Sequence, residues 1–188
     1  RLIPNLNVWR PADTAEAIVA WASAVNSADK PSVIIGSRQN IEFTKRSAEE
    51  VVAHAKLAME KGACVLLESS KGADQVECVL MATGSEVPLA VKAREVLEAQ
   101  GVGTRVVSMP CVDIFDTLCC EEKRAILTDA PKVAIEAGVT SVWYKYVKDG
   151  AVIGIDTFGE SAPAGVLWEK FGFTVERIVE AANKLIKH

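Results

Sequence analysis

Histidine is scarce in this chain. There are two, His54 and His188, and no Cys-His or Ser-His pair can be assembled from their spacing. Long apolar runs are missing as well: none reaches the roughly 18 residues needed to cross a bilayer, and no stretch of the given sequence reads as a signal peptide. Basic charge is not in excess. Lys and Arg number 21 against 25 Asp and Glu, for a net charge of -4, which gives no electrostatic case for nucleic acid or for an anionic membrane. The carboxylates form no cluster with metal-ligand spacing. The five cysteines are an odd number without metal-like spacing. Cys119 and Cys120 are adjacent, while Cys64, Cys78 and Cys111 lie in or beside apolar runs. Buried free thiols in a reducing, cytoplasmic setting are expected, with an organelle left open. There is no internal repeat and no low-complexity tract. The chain opens on Arg1 rather than Met, so a piece of a longer protein or a processed product is expected.

The remaining composition is that of an ordinary globular protein, with 49% hydrophobic and 24% charged residues in 188. Leu6–Trp9 reads as a short strand ending at Pro11. Asp13 caps a helix in which Ile18, Trp21, Ala22 and Val25 form an apolar stripe. Ser32–Gly36 is a continuous apolar run that suits a strand buried on both faces. One β-α-β unit leaves most of a sheet face unpaired, so residues 1–40 are expected to be the end of a domain whose earlier part is elsewhere. Residues 41–61 read as a connector, with a helix starting at Ser47 and ending at Lys61-Gly62.

From about Val76 strands and helices alternate: Val76–Ala82, a helix to Ala99 with Ser85 as its cap, Thr104–Met109, a short helix Glu121–Leu127, Lys132–Glu136, Ala151–Ile155, then helices Ala162–Phe171 and Val175–Lys187. This predicts an α/β domain with a largely parallel sheet flanked by helices in a Rossmann-like three-layer arrangement.

Three stretches are candidates for chemistry. Ser37-Arg38-Gln39-Asn40 follows a buried strand, at the edge where open α/β sheets bind ligands, and the Arg38 fork suits a phosphate or carboxylate. Thr83-Gly84-Ser85-Glu86 is a glycine turn opening a helix, a place for an anion or nucleotide or simply a turn. It carries neither the three-glycine pattern nor the lysine of a P-loop. Phe158-Gly159-Glu160-Ser161-Ala162-Pro163 reads first as a helix start capped by Ser161. Glu160 beside it could act as a base, although nothing in the chain supplies a nucleophile. No residue is assigned as catalytic, cofactor-binding or metal-binding.

Trp9-Arg10-Pro11-Ala12-Asp13, Ser37–Asn40, Ala82–Val87, Val106–Pro110, Glu136-Ala137-Gly138, Trp143–Tyr146 and Phe158–Pro163, in that order, resemble transketolases over essentially the whole chain. The resemblance implies the end of the middle, pyrimidine-binding domain followed by the C-terminal domain, with bounds of 62–188 for the latter. It implies an enzyme that moves a two-carbon ketol group between sugar phosphates in the pentose phosphate pathway. Thiamine diphosphate and a Mg or Ca ion would serve as cofactors, and the working unit would be a homodimer. On that basis Arg38 is expected to bind the substrate phosphate. The cofactor and metal ligands would precede Arg1, leaving this piece inactive alone. A phosphate- or nucleotide-binding regulatory module at Gly84-Ser85 is the alternative. Part of a related thiamine enzyme, a 1-deoxyxylulose-5-phosphate synthase or a 2-oxo acid dehydrogenase β-chain, is another.

Overall fold

A computed structural model describes residues 1–187, and His188 lies outside the described residues. The chain begins with a parallel pair, β1 (Asn7–Trp9) and β2 (Ser32–Ile34), joined through α1 (Thr14–Asn26). Asp13 caps α1 by accepting the Glu16 N–H at 2.9 Å. The stripe Ile18, Trp21 and Val25 does not face inward. These side chains are 64%, 64% and 79% exposed, and the buried face is Ala15, Glu16, Val19 and Ala20. Small residues on that face let α1 lie close against α2 (Ala48–Lys61), whereas a two-stranded sheet offers nothing wide enough to cover the larger stripe. For the same reason β2 is not buried on both faces, and Val33 is exposed.

The connector helix α2 carries a full capping box. Ser47 Oγ accepts the Glu50 N–H, and a Glu50 carboxylate oxygen accepts the Ser47 N–H at 2.7 Å. Gly62 ends it in a left-handed conformation, φ 66°, where a Cβ would sit 2.1 Å from the Cys111 carbonyl oxygen. Only glycine fits this close turn into the next strand.

The larger sheet contains β3 (Cys64–Leu67), β4 (Cys78–Ala82), β5 (Thr104–Ser108), β6 (Lys132–Ile135) and β7 (Ala151–Ile153) in the order β3-β5-β4-β6-β7. Every pairing is parallel except that of the edge strand β3. The pleat sends Cys78, Leu80 and Ala82 to one face, under α3 (Val87–Ala99) and α8 (Val175–Ile186). It sends Val79 and Met81 to the other, where α4 (Val112–Phe115), α5 (Cys120–Leu127) and α6 (Tyr144–Val147) supply Phe115, Ile126 and Tyr146, with Trp143 just ahead of α6. All of β4 is buried, which is why it reads as an unbroken apolar run. The helix α7 (Ala164–Phe171) completes the first layer through Trp168, set edge-on to Phe173. The three-layer α/β expectation therefore holds.

Two expected caps differ. A 3₁₀ turn, Gly84–Glu86, precedes α3, and Ser85 Oγ donates to the Glu86 carboxylate at 3.1 Å instead of capping the helix. Ser161 caps nothing, because α7 starts only after Pro163. A proline disfavours helical backbone in the residue before it, so a helix cannot run through Ala162.

Candidate functional site

The three candidate stretches, far apart in sequence, line a single cleft of ≈ 580 Å³. Ser37, Arg38 and Gln39 come from the segment after β2, Gly84 and Ser85 from the turn after β4, and Glu160, Ser161 and Pro163 from the segment before α7. Arg10 and Pro11, which follow β1, also border it. Arg38 is exposed, and no ion pair among the described residues engages its guanidinium. Ser37 Oγ donates to the Gln39 carbonyl at 2.8 Å, closing a tight local turn around Arg38. Glu160 is held by Lys170, whose ammonium lies 2.6 Å from both carboxylate oxygens. A paired, half-exposed carboxylate of this kind is a poor general base, and the pair adds little to stability.

A dense ion-pair network lies beneath the cleft. Arg10 donates from Nη1 to Glu136 at 2.6 Å and from Nη2 to Glu86 at 3.1 Å. Glu136 also accepts from Arg1 Nη1 at 2.8 Å and from the Trp143 indole N–H at 2.6 Å. Burial pulls the Arg10 pKa down, but the facing Glu86 and Glu136 carboxylates outweigh it, so the net direction is up. Burial pushes the Glu86 carboxyl above the ordinary range, and Arg10 offsets only part of this. Glu86 is itself fully buried, while its partner Arg10 keeps a small exposed fraction at the cleft. Gly84, with φ 58°, brings the turn's backbone alongside the Arg10 side chain.

The strand order reverses direction between β4 and β6. Sheets of this kind bind ligands at such a switch point. Here the ends of β4 and β6 lead to Glu86 and Glu136, and the Arg10 guanidinium fills the space between them.

A second polar cluster is wholly internal. The sequence offered no partner for His54. It lies buried, with Nε2 2.8 Å from Glu16 Oε1 and the Cys64 sulfur 3.1 Å from Nδ1. Burial, then the nearby Glu16 charge, drives the Cys64 thiol pKa well above its ordinary value. No local motif signals this grouping, because α1–α2 packing creates it. Cys78 and Cys111 are buried as expected, whereas Cys119 and Cys120 are exposed.

Comparison with known proteins agrees with this geometry. Residues 62–174 match the model of the transketolase-like C-terminal domain, and residues 1–44 match that of the transketolase pyrimidine-binding domain. Transketolase 2 of Vibrio parahaemolyticus is 49% identical over 99% of this chain, which spans 27% of that protein. A crystal structure of Pichia stipitis transketolase in complex with sedoheptulose-7-phosphate superposes with a TM-score of 0.86 at 36% identity, covering 100% of this chain and 26% of that one. A split-gene transketolase, described as an inactive β4 tetramer, superposes at 0.72 with 26% identity, covering 100% of this chain and 60% of its own.

Proposed function

The chain belongs to the transketolase family, and on that premise we propose that it serves as the C-terminal part of an enzyme that transfers a two-carbon ketol group between ketose and aldose phosphates, in the pentose phosphate pathway. In this reading residues 1–40 finish the pyrimidine-binding domain, 41–61 connect, and 62–188 form the C-terminal domain. The assembled enzyme is a cytoplasmic homodimer. The chain contributes a substrate-phosphate contact, Arg38, and is inactive alone. The observation that carries the proposal is the exposed Arg38 guanidinium at the mouth of a cleft, with no carboxylate of its own. A planar fork of donors on an unpaired cation suits a sugar phosphate.

Thiamine diphosphate and a Mg or Ca ion, the family's cofactors, do not fit the residues present. A hard cation takes several oxygen ligands, and the cleft lining offers one carboxylate, Glu160, already engaged by Lys170. The one grouping of His, Cys, Asp and Glu among the described residues with metal-ligand proximity is Glu16–His54–Cys64, which is closed to solvent and includes a soft ligand. We therefore assign the cofactor and its ion to parts of the enzyme beyond these residues, and derive no step through them. A regulatory nucleotide site at Gly84-Ser85 is the weaker reading, because Arg10 already occupies the neighbouring switch point.

Kinetics of the assembled enzyme test the assignment. Arg38→Ala is expected to raise KM for phosphorylated sugars about 10- to 100-fold, the equivalent of losing a charged hydrogen-bond pair worth about 1.5–3 kcal/mol. Unphosphorylated substrates should be nearly unaffected. Equal losses for both classes would remove Arg38 from phosphate binding.

A further inference from the structure

We propose that Glu16, His54 and Cys64 form a binding site for a borderline-soft transition-metal dication, zinc by preference, that ties the N-terminal β-α-β unit to the five-stranded sheet. The three ligands come from three elements, α1, α2 and β3. Their donor atoms all lie within 4.8 Å of one another. The side chains are almost wholly enclosed, at 1%, 5% and 1% exposure. His54 lies between the other two, with Nε2 2.8 Å from Glu16 Oε1 and the Cys64 sulfur beside the ring, 3.1 Å from Nδ1 and 3.3 Å from Nε2. Zinc bonds of about 2.0–2.3 Å place tetrahedral ligand atoms roughly 3.3–3.6 Å apart, so entry of the ion requires the imidazole to turn until a ring lone pair points between the carboxylate and the sulfur, with the Glu16 oxygen drawing back from the ring. Ser108 Oγ donates to Glu16 Oε1 at 2.6 Å and so holds the carboxylate in orientation from behind.

Charge argues the same way. The Glu16 carboxylate is buried and accepts from the Ala12 N–H at 2.7 Å, from Ser108 and from His54. Its nearest possible counter-charge is the imidazole itself. A dication that displaces the thiol proton and takes Nε2 balances the carboxylate and the thiolate together, leaving a neutral interior. Thiolate, imidazole and carboxylate are the ligand set of zinc, and not of Mg or Ca.

The site joins units that also meet through the Trp9, Val19, Ala58 and Cys64 packing, the Arg10 network, and hydrogen bonds such as Val8 N–H to Asp113 at 2.9 Å. It differs in place and chemistry from the cleft at Arg38, so its test does not depend on the assigned function.

The exposed thiols of Cys119 and Cys120 would bind metal adventitiously, so the test uses the Cys119→Ser/Cys120→Ser background. The chain is stripped with a chelator and titrated with Co²⁺, then with Zn²⁺. The expected result is a sulfur-to-cobalt charge-transfer band saturating at one equivalent, abolished by zinc. Cys64→Ser should remove the band, and zinc should raise Tm in the background chain but not in that variant. His54→Gln, a milder change checked for fold by circular dichroism, should weaken binding about 10-fold or more. Absence of the band, or a band that survives Cys64→Ser or is untouched by His54→Gln, would overturn the proposal.

Discussion

The two sheets of this chain obey the same packing rules and end in opposite conditions. The five-stranded sheet is covered on both faces, and every residue of β4 is buried. The two-stranded sheet is not: α1 turns Ile18, Trp21 and Val25 to solvent, and Val33 of β2 stands open. A strand pair with one helix cannot bury its own apolar surface. What holds the small sheet in place is attachment to the large one, through the Arg10 pairs to Glu86 and Glu136 and the packing of α1 on α2. The lesson is that self-sufficiency lies with residues from β3 onward, whereas the segment carrying Arg38 depends on its neighbours.

Breaking the attachment should have the largest effect. Arg10→Ala leaves Glu86 as an uncompensated buried charge, a loss of about 3–5 kcal/mol, measured as a fall in urea midpoint. It should also change the pH dependence. A carboxyl whose folded pKa lies above its unfolded one holds its proton more tightly when folded. That contribution is fully present below the unfolded pKa, roughly 4.3, and is lost as pH rises through the raised folded value. Without Arg10 the folded value rises further, so the variant's stability should decline over a wider pH range. Glu86→Gln should abolish this decline. A variant with an unchanged profile would mean that Arg10 does not govern Glu86.

The interior of the large sheet comes next. Leu80→Ala removes a fully buried side chain between α3 and α8 and should cost about 2–5 kcal/mol, read from the same denaturation curve. The smallest effect is expected on the small sheet's outer face: Trp21→Ala should change the stability of this chain by less than about 0.5 kcal/mol, as for other surface sites. The same substitution should matter far more once the rest of the pyrimidine-binding domain is present. A large effect in the chain alone would show that the exposed stripe is already covered, for example by a second copy.

The large sheet was almost wholly legible, since strands buried on both faces and helices with clear boundaries leave strong periodic signals. Ser47 and Gly62 marked the ends of α2, and Asp13 the start of α1, because capping is local chemistry. The stripe of α1 misled for a physical reason: periodicity shows that a helix has an apolar face, not what covers it. The cleft was legible in its parts only. Ser37–Gln39, Gly84-Ser85 and Glu160–Pro163 each stood out, but their meeting depends on how the two units dock. The Arg10–Glu86–Glu136 network and the Glu16–His54–Cys64 cluster were invisible for the same reason, since each joins residues whose proximity only tertiary packing creates.

The most direct test of the division between a self-sufficient fold and borrowed chemistry is a ketol-transfer assay of this chain alone, supplied with thiamine diphosphate, Mg²⁺ and a ketose phosphate–aldose phosphate pair. No turnover is expected on the proposed assignment, which puts the cofactor and its ion on parts of the enzyme beyond these residues. Sustained turnover by the purified chain would contradict the account.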